Sequence, residues 1–182
     1  MQTKHLQIAK DAGAQMSARL ISAEEAARLI SDNVTLATAG FIGIGFAETL
    51  AKAIEHRFLE TGHPSNLSLV YAAGQGDAKK RGLNRFGHEG MVKRVIGGHW
   101  GLAPSLGKLA LENKIEAYNL PQGVICHLFR DIAGGKPGTL THVGLHTFVD
   151  PEQGGGKINS HTQEEIVQRI ELAGEPYLFD KA

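Results

Sequence analysis

The chain has 182 residues, enough for one full domain with a real core. Its content of 42% hydrophobic and 21% charged residues excludes a disordered segment. Nineteen basic residues balance nineteen acidic ones, which argues against a dedicated nucleic-acid or anionic-membrane binder.

Residues 1–20 have no clean period and read as a mobile extension, leaving 21–182 as the domain. Lys4, Lys10, Asp11 and Arg19 interrupt any apolar leader segment. Ser22-Ala23-Glu24-Glu25 fits a capping box, and Ala26, Ala27, Leu29 and Ile30 continue it as a short helix. Val34 to Ala39 reads as a buried strand, followed by the glycine loop Gly40-Phe41-Ile42-Gly43-Ile44-Gly45. Phe46, Leu50, Ile54 and Phe58 recur every fourth residue and predict a helix, with Glu48 and Lys52 as an i, i+4 pair on its other side. Thr61-Gly62-His63-Pro64 ends that helix. Leu67 to Ala72 is the next strand, so strand, loop, helix and strand make a βαβ unit.

Two further units follow. Val92 to Ile96 is a strand before a helix over Ser105 to Glu112. Ile115 to Asn119 is a strand before a helix containing Val124 to Ile132. The fold class is therefore α/β, with a largely parallel sheet and helices on both faces. After Gly134 the helical period stops. Gly134 to Gly138 and Gly154 to Gly156 bracket a β-rich segment, and Ile166 to Phe179 reads as a hairpin with Gly174-Glu175-Pro176 at its turn. The longest uncharged run, Asn33 to Ala47, has 15 residues, short of the ~20 of a membrane span. A cytoplasmic location is the default.

Twenty-three glycines are nearly twice average usage, so particular backbone positions require them. The loop Gly40 to Gly45 leaves a strand and enters a helix, where free N–H groups favour an anion. Its G-x-x-G-x-G spacing is not that of a dinucleotide site, and it lacks the Lys-Ser/Thr of a P-loop. An acyl-thioester or phosphate role and a plain tight turn both remain open. After the next strand comes Ala73-Gly74-Gln75-Gly76-Asp77. From Asp77 to Arg94 there is a surplus of four positive charges, either a solvated face or a docking surface for a phosphorylated cofactor. In Asn119-Leu120-Pro121-Gln122-Gly123, Pro121 suits a helix start. Gln122 then stands at the carboxyl end of a strand, where α/β proteins place ligands. Its amide is either an oxyanion donor or a helix-entry residue without function.

One cysteine, Cys126, excludes an internal disulfide and a thiolate metal cage and reads as a buried helix residue. His142 and His146 have a helical metal spacing in a β-like context without a third ligand, so no metal is expected. His88 and His99 lack a carboxylate close in sequence and read as structural or pocket-lining.

These segments together resemble family I coenzyme A-transferases, most closely the acetate/propionate CoA-transferase branch. Asp32 to Gly45 is similar to the family's first signature, departing from it at Thr38, Ala39 and Ala47. More specific are Arg81-Gly82-Leu83-Asn84 with His88-Glu89-Gly90, Gly97-Gly98-His99-Trp100-Gly101, Ala117 to Gly123, and Thr147-Phe148-Val149-Asp150-Pro151 with Gly155-Gly156-Lys157. The resemblance runs from about residue 20 to the end.

It implies ping-pong transfer of CoA between a short-chain acyl-CoA, such as acetyl- or propionyl-CoA, and a carboxylic acid, through a glutamyl-CoA thioester. By resemblance, Gln122 helps form the oxyanion hole. Gly40, Phe41, Gly43, Gly45, Gly74, Gln75 and Gly76 are expected to bind the CoA substrate. No permanently bound cofactor is implied. The resemblance covers the α-subunit-like, N-terminal part of the enzyme, and the domain is expected to be truncated at its C-terminus. The nucleophilic glutamate is expected outside this chain, on a missing C-terminal, β-like half or separate subunit. Glu171, in Glu-x-x-Gly, falls in a hairpin and is not assigned that role. The isolated chain is expected to be inactive, and the enzyme to be a homo-oligomer. Two other readings stand beside this one. One is a non-catalytic CoA-binding remnant or structural fragment. The other is a Rossmann-like nucleotide binder, disfavoured by the glycine spacing and by the lack of an acidic residue closing the second strand.

Overall fold

The computed structural model describes residues 20–182. Of the expected extension at residues 1–20, residues 1–19 lie outside the described residues. Chain order begins with α1 (Ala23–Arg28), β1 (Thr35–Ala37), α2 (Glu48–Thr61) and β2 (Leu67–Tyr71). A 3-10 turn at Leu83–Phe86 leads to β3 (Val92–Gly97), α3 (Pro104–Leu111), β4 (Glu116–Asn119) and α4 (Gln122–Ala133). The remainder is β5 (Gly138–Thr141), a 3-10 turn at Pro151–Gln153, β6 (Val167–Leu172) and β7 (Glu175–Lys181).

The capping box of α1 is present: Ser22 Oγ accepts from Glu25 N at 3.1 Å, and Glu25 Oε2 accepts from Ser22 N at 2.8 Å. Only six residues long, α1 is held at its other end by Arg57 of α2, whose guanidinium donates to the Ala27 and Ile30 carbonyls at 2.7 and 2.8 Å. Such a cation satisfies carbonyls that a helix end leaves open. Gly62 ends α2 in the left-handed conformation, φ 74°.

Strands β1, β2, β3 and β4 pair in that order, all parallel. Right-handed crossovers that always step in one direction put their connecting helices on one face. Accordingly α1, α2 and α3 cover one face, over Leu67, Leu69, Tyr71, Val95 and Ala117. The alternate side chains, Val70, Ile96 and Tyr118, face a second core. That core contains Ile125 and Phe129 of α4, and Val149, Ile166, Val167 and Leu178. Helices thus lie on both faces, but the second face carries α4 together with a small antiparallel sheet.

The expected buried first strand is instead a three-residue edge strand. Thr35 and Ala37 are exposed and Leu36 is half-buried, because the second core does not extend across β1. The free edge of β4 is covered: Asn119 N donates to Gly156 O at 2.8 Å and Ile158 N to Ala117 O at 2.9 Å.

The C-terminal hairpin is β6–β7, but β7 is the centre of its sheet, between β5 and β6. Its turn is Ala173-Gly174, not Gly174 to Pro176. Both turn residues have positive φ, 55° and 82°, the pattern of a two-residue hairpin matching strand twist. Cys126 is exposed rather than buried, since α4 turns Val124, Ile125, Leu128 and Asp131 inward. Glu48 bonds Arg85 of the first 3-10 turn in place of an i, i+4 partner. Among the described residues, no helix is long and apolar enough to cross a membrane.

Candidate active-site edge of the parallel sheet

The four parallel strands end at one edge, and the predicted site segments all follow a strand end: Gly40 to Gly45 after β1, Gly74 to Gly76 after β2, and Gln122 after β4, with the family motif residues Gly98 to Gly101 after β3. The first two are joined directly. Ile42 N donates to Gly74 O at 2.7 Å, and Gly76 N to Ile42 O at 2.9 Å, so the loops continue the parallel pairing beyond the strands.

Within the first loop, Phe41 and Ile44 exchange two backbone hydrogen bonds, each 2.9 Å, around an Ile42-Gly43 tip. Ile42 has φ 58°, a conformation that a β-branched residue rarely takes. The paired neighbouring loop holds it there. Gly40 and Gly45 have φ 134° and 71°, and a Cβ on Gly40 would lie 2.9 Å from Phe46 N. Gly43 has neither a positive φ nor a neighbour within 4 Å of such a Cβ. Phe41, Ile42 and Ile44 are exposed and form an apolar lip above the sheet edge.

Gln75 lies beneath that lip, 1% exposed. Its amide donates to Thr38 O at 3.2 Å, while its Oε1 is buried without a partner among the described residues. Thr38 Oγ1, Trp100 Nε1 and Asn119 Oδ1 share that condition. Buried polar groups are normally paired; with Tyr71 Oη at the end of β2, five such groups without a partner among the described residues stand at or just beyond the strand ends. The sequence singled out Gln75 but not Thr38, Trp100 or Asn119. Their signal was position: each stands at or just after a strand's carboxyl end, where α/β folds bind ligands.

Gln122 is the exposed first residue of α4, following Pro121 at the cap. Gly98 sets its position. A side chain there would overlap the carbonyl oxygen of Ala72 and lie 3.1 Å from Gln122 Cα. The structure therefore brings Gln122 over the ends of β2 and β3, through Gly98. It joins Gly40, Phe41, Gly43 and Gly45 to Gly74, Gln75 and Gly76 in the adjoining seam.

The basic segment separates into two kinds of residue. Arg85 bridges Glu48 and Glu55 at 2.7 and 2.6 Å, and His88 Nε2 lies 3.0 Å from Glu55. Arg94 joins Glu116 at 2.5 Å and also Glu164. These side chains tie elements together. Lys79, Lys80 and Arg81 are exposed at the sheet edge. Of the remaining histidines considered, His99 packs on Gly74, 2.5 Å from the position of a Cβ there, and His142 stacks on Tyr177 with ring centroids 4.1 Å apart.

The coenzyme A transferase family model matches residues 20–182. The chain belongs to the coenzyme A transferase family. It is 46% identical over 165 residues to a caffeate CoA-transferase of Acetobacterium woodii, covering 91% of this chain and 32% of that protein. It is 28% identical to the acetate CoA-transferase subunit alpha of Escherichia coli K12, covering 91% of this chain and 66% of the subunit. Among solved structures, the acyl-CoA transferase YdiF of Escherichia coli O157:H7, in a thioester complex with CoA, superposes with a TM-score of 0.87 at 42% identity. That match covers 89% of this chain and 32% of that one. The chain thus spans about a third of the single-chain CoA transferases it matches and corresponds to their α-subunit-like part.

Proposed function

We propose that this chain supplies the acyl-CoA-holding part of a CoA-transferase that moves CoA between a short-chain acyl-CoA and a free carboxylate. The observation carrying this reading is the convergence of the Gly40–Gly45 and Gly74–Gly76 seam and the Gln122 helix start on one sheet edge, where Gln75, Thr38, Trp100 and Asn119 keep unpaired polar atoms. The names of the relatives support it: one is a caffeate and another an acetate CoA-transferase, and YdiF forms a thioester complex with CoA.

In the proposed reaction a glutamate carboxylate attacks the thioester carbonyl. The C–S bond breaks, CoA leaves as thiolate, and an acyl-glutamyl anhydride forms. The thiolate then attacks the glutamyl carbonyl, releasing the first acid and leaving glutamyl-CoA. The second acid reverses both steps and leaves as the new acyl-CoA. Each attack builds negative charge on a carbonyl oxygen. The Gln122 amide, at the exposed start of α4, is proposed to donate to that oxygen. The glutamate is proposed to come from polypeptide equivalent to the rest of the relatives' length, as a further segment or a β-like partner. Acetate or propionate is the proposed acyl group.

The test is exchange of labelled acetate into acetyl-CoA. The 182-residue chain alone should give none, and adding a polypeptide equivalent to the remainder of the relatives should restore it. Exchange by the chain alone, abolished by Glu171→Gln, would overturn the assignment of the nucleophile. Absence of exchange in the reconstituted mixture would overturn the activity.

A further inference from the structure

The tip at Asp77–Arg81 stands next to the candidate site and has no part in the chemistry above. Gly76 and Gly82 pair as an antiparallel bridge and close it. Asp77 Oδ1 accepts the backbone N–H groups of Lys79, Lys80 and Arg81, each at 2.9 Å. Those bonds hold the Asp77 carboxyl below its usual range, the Arg81 N–H contributing most. Ala78, with φ 58°, donates its N–H to Leu102 O at 3.2 Å. Asn84 donates to Arg81 O at 3.0 Å and to Leu102 O at 2.9 Å. The backbone of the tip is thus fixed at both ends and in the middle.

Its three cationic side chains are not used in this way. Among the described residues, none of Lys79, Lys80 and Arg81 forms an ion pair, although other cations nearby do. The neighbouring carboxylates are already engaged. Glu48 accepts from Arg85 and from Gly82 N, Glu55 accepts from Arg85 and contacts His88, and Asp77 is turned onto its own backbone. The result is three consecutive cations with one anion, on a rigid support, in a chain whose net charge is zero. Exposed cations without a protein counter-charge are free to meet an anionic ligand. A cleft connects the tip to the glycine seam, lined by Ile42, Gly43, Gly76, Asp77 and Arg81 and by Glu48, whose carboxylate is engaged by Arg85 and Gly82 N.

We infer that the Lys79-Lys80-Arg81 tip holds the phosphate groups of the acyl-CoA, while the thioester lies at the strand ends. The inference rests on the CoA reading proposed above and deepens it by assigning the phosphorylated end of that substrate. The guanidinium of Arg81 offers paired donors to phosphate oxygens, and the two lysines offer point charges. The Asp77 staple fixes the backbone before the ligand arrives, so less order is lost on binding.

The experiment titrates the 182-residue chain with CoA and with pantetheine, which has the same thiol arm and no phosphate. It compares the wild type with Lys79→Ser/Lys80→Ser, and with Lys93→Ser as a control. Lys93 is exposed at the amino end of β3, on the opposite edge of the sheet. The wild type should bind CoA at least about tenfold more tightly than pantetheine, and raising the salt should remove much of that preference. The double variant should lose about tenfold or more in CoA affinity, keep its pantetheine affinity, and melt like the wild type. Lys93→Ser should bind CoA normally. Unchanged CoA binding by the double variant, or an equal loss for both ligands, would overturn the phosphate assignment and leave the CoA reading standing. No binding of CoA or pantetheine by the wild type would overturn the CoA reading, and the assignment with it.

Discussion

Gly98 rests against the carbonyl oxygen of Ala72 with no room for a side chain, and its other neighbour is the Cα of Gln122. One missing Cβ thus couples the ends of β2 and β3 to the start of α4. Replacing Gly98 by alanine puts a methyl group into backbone that cannot turn aside. The expected result is a loss of roughly 1–3 kcal/mol or more of stability, seen as a lower Tm. Transfer activity of the completed enzyme should fall further than the loss of folded protein explains, because Gln122 moves with the helix start.

The glycine loop gives a contrast within six residues. Gly40→Ala should destabilise the fold and weaken acyl-CoA binding, since its φ is 134° and its Cβ would press on Phe46 N. Gly43→Ala should leave both within about 0.5 kcal/mol of wild type, because nothing lies within 4 Å of that Cβ and no positive φ is required. Thermal melts and CoA titrations of the two variants check the pair. Equal damage from both would mean that the loop closes around Gly43 in the working enzyme.

Gln122 is exposed, and among the described residues no side-chain hydrogen bond holds it. Gln122→Ala should therefore melt like the wild type and bind CoA normally. In the reconstituted enzyme it should slow turnover about 10²-fold or more, the usual cost of losing an oxyanion donor. A normal turnover rate would remove Gln122 from the reaction.

Much of this architecture was legible in the sequence because the parallel strands and their helices have different periods. Leu67 to Ala72 and the Phe46-Leu50-Ile54-Phe58 series each matched an element to within a residue or two. The exposure of β1 was not legible. Its apolar composition suits burial on both faces, and only the extent of the second core leaves Thr35 and Ala37 open. The same holds for Cys126, whose exposure depends on which side of α4 meets that core. The central place of β7 depends on pairing with β5, some forty residues earlier in sequence, which local pattern does not encode. At the site, glycine content marked the loops. It could not separate Gly40 from Gly43, because that difference is one of φ and not of residue type.

Asp180 leads to a test by pH. It lies on β7 with cross-strand neighbours Thr139 and Val167, is 1% exposed, and among the described residues both its carboxyl oxygens lack a partner. The nearby lysines are engaged elsewhere: Lys181 donates to Glu165 O at 2.6 Å and Lys136 to Asp131 at 2.8 Å. Burial pushes the Asp180 pKa up to about 6, from an ordinary 3.8. The folded chain therefore holds this proton more tightly than the unfolded chain does. Below pH 3.8 both states are protonated and Asp180 costs nothing extra. As the pH rises through the interval from 3.8 to about 6, folding requires either retaining a proton that the unfolded chain would release or burying a charge. Stability falls across that interval by up to about 3 kcal/mol and then stays level. Asp32, Asp77, Asp131 and Asp150, whose pKa values are lowered, act in the opposite sense and lose their contribution as the pH falls through their lowered values. A comparison of Asp180→Asn with wild type separates the two effects, since only the Asp180 contribution differs. The variant should gain stability relative to wild type as the pH rises from 4 to 7, and the gain should plateau above that. A difference independent of pH would mean that folding does not shift the Asp180 pKa, and a difference of the opposite slope that Asp180 is ionised and paired in the folded protein.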